Sequence, residues 1–590
     1  MGRLSAAHLF PIPPRIDFRP ALTHCPSCQR PLTILKTHAR GVNTLLVGPF
    51  RAVETVLTCP ACRRHYRTEE LSRLVPPGAR FGYDVLVYVG RALFLRYRNE
   101  EEVVAELAER QVRISPSEVS LLGRKFITYL ALAHQRCSPR IQEGMKRRGG
   151  YVLHLDATTE GGSPMLMSSL DSLSHIVLGN VKLPSEAEAL IVPFLRRFKE
   201  TFGTPLASVH DMGSGILKAV ATVFPGVPDF ICHFHFLRDI GKDLLGEDYD
   251  LIRQRLRKRQ IHAELNTHAQ AFKRRLQPCD LAPLPDRLPD QGPFGSDRAL
   301  SPTLGAYTLI LWTLDGKRQG DGYGFPFDQP HLAFAQRIRR LYGQLNSIRE
   351  RALPGHWRDN LPYFDLLNGL NPVIEDRHLW PAVERLEANL LIFERLRQAL
   401  RIAPKAAGDG LNDEGLADTI QSIEARVKAF RSSLTACPDY PQSPNVAGLV
   451  AQLDKYWAKL FADPIAASTP SGPVVIQPQR TNNILEQFFR HLKRAHRRRT
   501  GQASASRMLR TMLAETPLVK NLQNPAYLPA LLNGKATLEE VFADIDISLV
   551  RQELRLVQQD AGPLPTRLKH LIATPDYPDK LLTTLRTAAI

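Results

Sequence analysis

The sequence predicts a multidomain α/β protein, in which strand-rich and helical segments alternate along the chain. Its 590 residues are too many for one hydrophobic core, so several domains are expected. Short segments of alternating apolar residues cluster between residues 151 and 231, and longer segments with apolar residues three and four apart surround them. Two Cys-x-x-Cys pairs near the start are typical of a small metal-binding module.

The cysteine pairs predict a zinc ribbon within an N-terminal arm and ribbon region, residues 1–78. Each pair forms a tight turn that directs two thiolates to one centre, and four thiolates complete a tetrahedral Zn²⁺ site. His65 is an alternative ligand. A zinc ribbon either binds DNA or only stabilises the fold, and both roles stay open. The predicted ligands of the single structural Zn²⁺ are Cys25, Cys28, Cys59 and Cys62.

Residues 79–145 are predicted to form a helical DNA-binding domain that resembles a helix-turn-helix. Ser115, Pro116 and Glu118 have the pattern of an N-cap, a first-turn proline and a capping box at the start of its third helix. A plain helical hairpin fits the same pattern. A basic linker that contains glycine is expected at 139–150.

Residues 146–245 have the pattern of the first part of an α/β core. Three predicted strands at hairpin spacing, which indicate an antiparallel meander, are followed by a helix, a short strand, a second helix and another short strand. This is the order of an RNase H-like mixed α/β core, in which the first and fourth strands lie side by side. Because the first strand ends in Asp156 and the fourth in Asp211, the two carboxylates are expected to meet at one end of the sheet.

The rest of the chain is predicted to be mostly helical. Residues 246–476 contain four long segments with helical periodicity and are interpreted as a large α-helical insertion that interrupts the core. The core resumes with its final helix in residues 477–503, and residues 504–590 form a helical C-terminal tail.

The predicted final helix combines an apolar stripe, which includes Leu485, Phe488 and Phe489, with a strongly basic side. From Arg480 to Arg510 there are nine arginines and lysines, and the one acid is Glu486. A lone carboxylate in basic surroundings indicates either an internal salt bridge or a metal ion held beside a phosphodiester. The predicted DNA-binding residues are Arg480, Asn482, Asn483, Arg490, Lys493, Arg494, Arg497 and Arg498.

The three acids Asp156, Asp211 and Glu486 together predict a catalytic metal site. Converging carboxylates repel one another unless divalent cations neutralise them, and Mg²⁺ (or Mn²⁺) suits oxygen ligands and phosphate substrates. Two ions would activate a nucleophile on one side of a phosphodiester and stabilise the leaving oxygen on the other. The simpler interpretation is that the aspartates close turns. Glu160 and Asp171 are alternative acids.

The net charge of +18 favours a polyanionic partner, here double-stranded DNA. No run of 18 apolar residues occurs, so no membrane span is expected. The start of the chain lacks a signal-peptide core. Eight cysteines, four of them in two close pairs, indicate a reducing compartment, so we expect a cytoplasmic, nucleoid-associated protein.

Several stretches together resemble the DDE-type transposases of bacterial insertion sequences. They are Leu153–Asp156, His210–Gly213, Cys232–His235 and Arg480–Arg490. The helical insertion and the Cys-x-x-His spacing are similar to the Mutator-like and hAT-like groups. The resemblance covers about residues 150–500, and the N-terminal modules are similar to the family's end-recognition region. About 275 residues separate the second and third acids, which requires the whole insertion to loop out.

The resemblance implies that Asp156, Asp211 and Glu486 are the catalytic triad and that a divalent cation is required. It also implies that Cys232 and His235 support the catalytic pocket, although a buried cysteine and a packed histidine explain them equally well. The expected function is binding of the element's terminal repeats, followed by DNA cleavage and strand transfer by a homo-oligomer, at least a dimer. The alternatives are a transposase-derived regulator without catalysis and a structure-specific nuclease with the same core.

Overall fold

The computed structural model shows a mixed α/β protein. It describes residues 12–281, 301–352, 361–402, 419–437 and 443–560, with a few residues between 571 and 581. The chain divides into two compact units. One comprises Met1–Asp229 and Pro464–Ile590, and the other comprises Phe230–Asp463.

The first unit begins with a small sheet built around a long hairpin. The central strand β3 pairs with β2 and β4 in antiparallel fashion and with β1 in parallel. A short helix, α1, follows, and a small apolar cluster that includes Phe18, Phe50 and Leu71 joins it to the sheet. The bounds are β1 Arg15–Phe18, β2 Thr33–Thr44, β3 Gly48–Thr58, β4 His65–Tyr66 and α1 Glu69–Leu74.

Three helices come next: α2 (Tyr83–Phe94), α3 (Glu100–Ala108) and α4 (Pro116–Arg147). The predicted capping box of Ser115 and Glu118 at the start of α4 is confirmed. The helix-turn-helix stays a prediction.

The linker predicted at 139–150 is wrong for most of its length, because α4 continues through Pro139 to Arg147. Proline normally breaks a helix, since it lacks an N–H and clashes with the preceding turn. Ile141 and Met145, beyond the proline, are buried in the main core. Their burial favours continuation of the helix, and the chain leaves it at Gly149 and Gly150, both of which have positive φ.

The central sheet has the strand order β7-β6-β5-β8-β9. Strands β5, β6 and β7 form an antiparallel meander, and β8 lies parallel to β5 on its other side. Both features were predicted and are confirmed. Two helices cross between the strands. The bounds are β5 Val152–Thr158, β6 Met165–Asp171, β7 Ile176–Leu183, α5 Glu188–Phe202, β8 Ala207–His210, α6 Ser214–Val223 and β9 Asp229–Ile231.

The second unit is helical in its described residues. It begins at Phe230 and ends at Asp463, whereas the insertion was predicted at 246–476. A short 3-10 helix covers Gly316–Arg318. The α-helices are α7 His233–Lys258, α8 Ile261–Arg275, α9 Pro278–Leu281, α10 Pro302–Asp315, α11 Pro330–Ala352, α12 Leu361–Ile374, α13 Leu379–Ala399, α14 Ile420–Thr435 and α15 Pro444–Leu460.

The chain then returns to the first unit through a β-hairpin that the sequence analysis placed in the helical insertion. A long helix, α16, follows it, and the C-terminal segment includes a 3-10 helix at Thr516–Gln523. The bounds are β10 Ile465–Thr469, β11 Gly472–Ile476, α16 Asn483–Thr500, α17 Ser506–Thr511, α18 Tyr527–Leu532, α19 Leu538–Ala543 and α20 Ile547–Asp560.

One large hydrophobic core holds most of the first unit together. It combines residues of α2–α4, of the central sheet, of α16 and of the segment from Leu509 to Val550. The sequence analysis treated these as separate regions, because periodicity shows which face of a helix is apolar but not what covers that face. Among the described residues, no helix is long and apolar enough to cross a membrane.

Candidate functional site

The first candidate site is the group of four cysteines at the base of the β2–β3 hairpin. Sγ of Cys25 lies 3.5 Å from Sγ of Cys62, and Sγ of Cys28 lies 3.3 Å from Sγ of Cys59. All four sulfur atoms lie within 4.8 Å of one another. Four thiolates bound to one Zn²⁺ at about 2.3 Å are about 3.8 Å apart, so the cluster could hold a structural metal such as zinc.

The two cysteine turns have the same backbone construction. In the first turn the N–H of Gln29 donates to the carbonyl of Cys25, and in the second the N–H of Arg63 donates to the carbonyl of Cys59. Gln29 and Arg63 have φ values of 58° and 56°, which are unfavourable for residues other than glycine. The repeated conformation points both sulfurs of each turn toward one centre.

Tyr66 on β4 supports the cluster from outside. Its hydroxyl lies 3.0 Å from Sγ of Cys25, and this hydrogen bond is the main cause that lowers the pKa of the Cys25 thiol to about 6. Hydrogen bonds from a second shell orient metal ligands and stabilise their ionised form.

Replacing Tyr66 by phenylalanine is therefore expected to weaken Zn²⁺ binding about tenfold, since loss of such a contact typically costs ten- to a hundredfold in affinity. Competition with a chromophoric chelator would measure the change, with Tyr97→Phe as the matched control. Equal affinities of the two variants would contradict a role for Tyr66.

The second candidate site lies at one end of the central sheet. Asp156 is nearly buried on β5, and Asp211 follows the last residue of β8. The parallel register pairs Val152 with Ala207 and His154 with Val209. The same offset, continued by two residues, places Asp156 level with Asp211 on neighbouring strands, which lie about 4.8 Å apart.

Helix α16 is fastened to β5 next to Asp156. Nδ2 of Asn482 donates to the carbonyl of Leu155 at 2.7 Å, and Oδ1 of Asn482 lies 2.8 Å from Nδ1 of His154. Glu486 lies one turn further along the helix, where its N–H donates to the carbonyl of Asn482 at 3.0 Å. Residues four apart share one helix face, so Glu486 is on the face that Asn482 turns toward the sheet.

Among the described residues, only the four cysteines bring three or more ligand side chains within 4.8 Å of one another. The ligand atoms of Asp156, Asp211 and Glu486 are therefore not all within 4.8 Å of one another, although the elements that carry them meet at one end of the sheet. Mutual repulsion opposes closer approach of ionised carboxylates.

A further carboxylate, Glu186, was missed by the sequence analysis. A Cβ on Gly213 would lie 2.9 Å from Oε2 of Glu186 and 3.2 Å from Oδ1 of Asp211. The two carboxylates therefore flank the same glycine. The pKa of Glu186 is raised, first by partial burial and second by the charge of Asp211. Because β7 runs parallel to β5 and β8, the segment that follows β7 emerges at the end of the sheet that carries the aspartates.

The alternative acids Glu160 and Asp171 have structural roles. Asp171 is fully buried and accepts hydrogen bonds from the backbone N–H groups of Leu173 and Ser174, so it closes the turn between β6 and β7. Glu160 accepts a hydrogen bond from the N–H of Ala505. That hydrogen bond is the first of several causes that lower the pKa of Glu160. Neither acid is needed to complete the predicted group of Asp156, Asp211 and Glu486.

The predicted DNA-binding residues at and near α16 fall into two classes. The first class contains four exposed arginines, which are Arg490, Arg494, Arg497 and Arg498. It also contains Lys493, whose Nζ lies 3.8 Å from Oε2 of Glu160. These five side chains suit contact with phosphates. Arg480 and Asn482 are buried instead, at 7% and 0% exposure. Asn482 is bonded to β5 and is not placed to contact DNA, which corrects its predicted role. Asn483 is partly exposed.

Cys232 and His235 belong to the second unit. Cys232 is fully buried at the N-cap of α7, and His235 is buried in the first turn of that helix. Burial lowers the pKa of His235 to about 3, with a smaller effect from Arg238 and Lys242. His235 is therefore a neutral, buried histidine. Their predicted role in the catalytic pocket stays a prediction.

No protein-family model and no curated protein matches this chain. The sites above are therefore interpreted from their own geometry.

Proposed function

We propose that this protein is a DDE-type transposase with an RNase H-like core, which binds the ends of a mobile element and catalyses metal-dependent DNA cleavage and strand transfer. The observation that supports it best is the convergence of three elements at one end of the central sheet. The register of β5 and β8 brings Asp156 level with Asp211, and the bonds of Asn482 hold the helix of Glu486 against β5.

The residues present suit one or two divalent cations. Asp156, Asp211 and Glu486 offer hard oxygen ligands, which Mg²⁺ and Mn²⁺ prefer. Such ions, when bound, would activate a water molecule or a 3′-hydroxyl and stabilise the oxygen that leaves the phosphorus. Asp156 lies on β5, the strand that pairs with β8 and accepts a hydrogen bond from Asn482 at the start of α16, so its strand contacts the elements of both other acids.

The exposed arginines of α16 extend the site along the DNA backbone. Arg490, Arg494 and Arg497 follow Glu486 at steps of four, four and three residues, so they form a row on one side of the helix. Guanidinium groups bind phosphates through paired hydrogen bonds and provide affinity without reading sequence. This row would hold the strand whose phosphodiester lies at the carboxylates.

The remaining modules suit recognition and assembly. The cysteine module, with a structural Zn²⁺, and the helices α2–α4 are the proposed readers of the terminal repeats. Because both ends of an element must be cut together, a dimer or larger homo-oligomer is the proposed active form. Nucleoid association in the cytoplasm follows from the same function.

The test uses labelled fragments of the DNA that flanks the coding sequence on both sides, incubated with purified protein, a target plasmid and either Mg²⁺ or EDTA. We expect cleavage at defined positions in Mg²⁺ and covalent joining of the fragment ends to the plasmid. Cleavage without joining would instead indicate a nuclease. Sequence-specific binding without cleavage would indicate a transposase-derived regulator. Either of those results would overturn the proposal.

A further inference from the structure

Two buried asparagines fasten two different segments to the central sheet. Asn482, at the start of α16, bonds to His154 and to the carbonyl of Leu155 on β5. Asn521, in the C-terminal 3-10 helix, bonds to both backbone groups of Val177 on β7. Its Oδ1 accepts from the N–H at 2.8 Å, and its Nδ2 donates to the carbonyl at 2.7 Å. The exposures of the two side chains are 0% and 1%, so the two anchors are closely matched.

The two asparagines differ in how close their hydrogen bonds lie to the predicted catalytic acids. Asn521 bonds to Val177 at the start of β7, whereas Asn482 bonds to the two residues that precede Asp156. On a strand, residues two apart point to the same face, so His154 and Asp156 share the face against which Asn482 packs. Glu486 is one helical turn from Asn482. The amide of Asn482 therefore bonds the strand of Asp156 directly to the start of the helix of Glu486.

The hydrogen bonds fix the chemistry of this connection. Because Nδ2 of Asn482 donates to a carbonyl, its Oδ1 must be the acceptor, and Nδ1 of His154 must carry the proton. An asparagine offers a donor and an acceptor at this reach. Aspartate lacks the donor, and alanine lacks both.

At the start of a helix, asparagine usually caps the first turn with its own side chain. Asn482 occupies the N-cap position of α16 but makes no side-chain capping bond. Its side chain is used for the sheet instead.

We propose that Asn482, held by His154, is a positioning residue that sets the distance of Glu486 from Asp156 in the metal site. This inference rests on the proposed function. It adds the hydrogen bonds that connect the strand of Asp156 with the helix of Glu486, which are more than 300 residues apart in sequence. Loss of the amide would leave the carboxylates present but misplaced, and a displacement of about 1 Å costs on the order of a hundredfold in rate.

The experiment compares Asn482→Ala with Asn521→Ala in the full chain. Both substitutions remove two buried hydrogen bonds to the same sheet, so both are expected to lower the melting temperature by a similar amount. Only Asn482→Ala is expected to slow DNA cleavage, about a hundredfold per folded molecule, with DNA affinity unchanged. It should also abolish the rise in melting temperature that Mn²⁺ produces in the unmodified protein, which is a readout independent of activity.

A second pair of variants covers the case in which Asn482→Ala does not fold. His154→Asn keeps an N–H donor close to the position of Nδ1, whereas His154→Leu fills a similar volume without a donor. The asparagine variant is expected to keep more cleavage and more of the Mn²⁺ shift than the leucine variant.

The outcomes separate the two proposals. If the unmodified protein neither cleaves DNA nor responds to Mn²⁺, the proposed function fails and this inference fails with it. If the unmodified protein does both, and Asn482→Ala matches Asn521→Ala in cleavage and in the Mn²⁺ shift, only the positioning role is overturned. Equal behaviour of His154→Asn and His154→Leu would overturn it as well.

Discussion

Replacing Asp156 by asparagine is expected to abolish DNA cleavage without destabilising the fold. The substitution preserves shape, and Oδ1 of the new side chain can still accept the hydrogen bond that the N–H of Ala157 gives to Asp156 at 2.8 Å. What is lost is one negative charge that a metal site requires. A loss of about 4 kcal/mol of transition-state stabilisation slows a reaction about a thousandfold, so cleavage should fall at least that far.

The same substitution should not lower the melting temperature, whereas replacement of an aspartate with a structural role would lower it. Asp156 and Asp211 lie level on neighbouring parallel strands, where two ionised carboxylates repel each other. Removal of one charge is therefore expected to leave the melting temperature unchanged or to raise it. Mn²⁺ should stabilise the unmodified protein, by about 2.7 kcal/mol at a concentration a hundred times its dissociation constant, but not the variant.

The measurements are end cleavage and thermal unfolding with and without Mn²⁺. Glu247→Gln, which alters an exposed acid on α7 of the second unit, is the matched control and should keep both DNA cleavage and the Mn²⁺-dependent rise in melting temperature. Retained cleavage in Asp156→Asn would remove Asp156 from the catalytic site, and a large fall in melting temperature would assign it a structural role instead.

The architecture of the central sheet was predictable because its elements have strong local patterns. Strands β5, β6 and β7 are short segments rich in apolar residues and separated by short turns, and such segments pair as a meander. The parallel neighbour β8 follows a helix, as a crossover connection requires. Placing Asp156 near Asp211 also needed the strand order of an RNase H-like core, in which the first and fourth strands are neighbours.

Other features depend on contacts that a local pattern does not contain. Pro139 was interpreted as a helix end, but the apolar positions beyond it are covered by the core and keep α4 helical. The hairpin β10–β11 was missed although its sequence carries a signal. Pro470 and Ser471 form the turn, and Gly472, which follows them, pairs with Thr469. The surrounding helical periodicity concealed this signal.

In the candidate site, too, some residues could be found from a local sequence pattern and others depend on tertiary contacts. Glu486 was found because one acid stands out within a basic helix. Glu186 was not, because its position beside Asp211 follows only from the direction of β7 in the folded sheet. Asn482 was assigned to DNA from its place on the helix, whereas tertiary packing turns it inward to β5. Burial of a polar side chain is decided by its partner, and that partner lies more than 300 residues away.

Replacing Cys59 by serine is expected to unfold the N-terminal module while the large core remains intact. The module's apolar cluster consists of Phe18, Val42, Phe50, Ala52, Leu71 and Val75. So small a core stabilises a fold weakly, and modules of this kind depend on a metal or on disulfides. Binding of Zn²⁺ to four thiolates contributes about 10–16 kcal/mol of apparent free energy at neutral pH. Most of the module's stability should therefore be lost with one ligand.

The unmodified protein should contain one Zn²⁺ per chain, and removal of the ion by a strong chelator should reproduce the effect of Cys59→Ser. Limited proteolysis would show new cleavage between residues 19 and 75, while fragments that contain the central sheet persist. Cys437→Ser is the matched control, since Cys437 is an exposed free cysteine in the second unit. Because Gln29 and Arg63 hold unfavourable backbone conformations to direct the thiolates inward, a protease-resistant module without metal would mean that the two turns are stable by themselves. In that case the cysteines would not form a structural metal site.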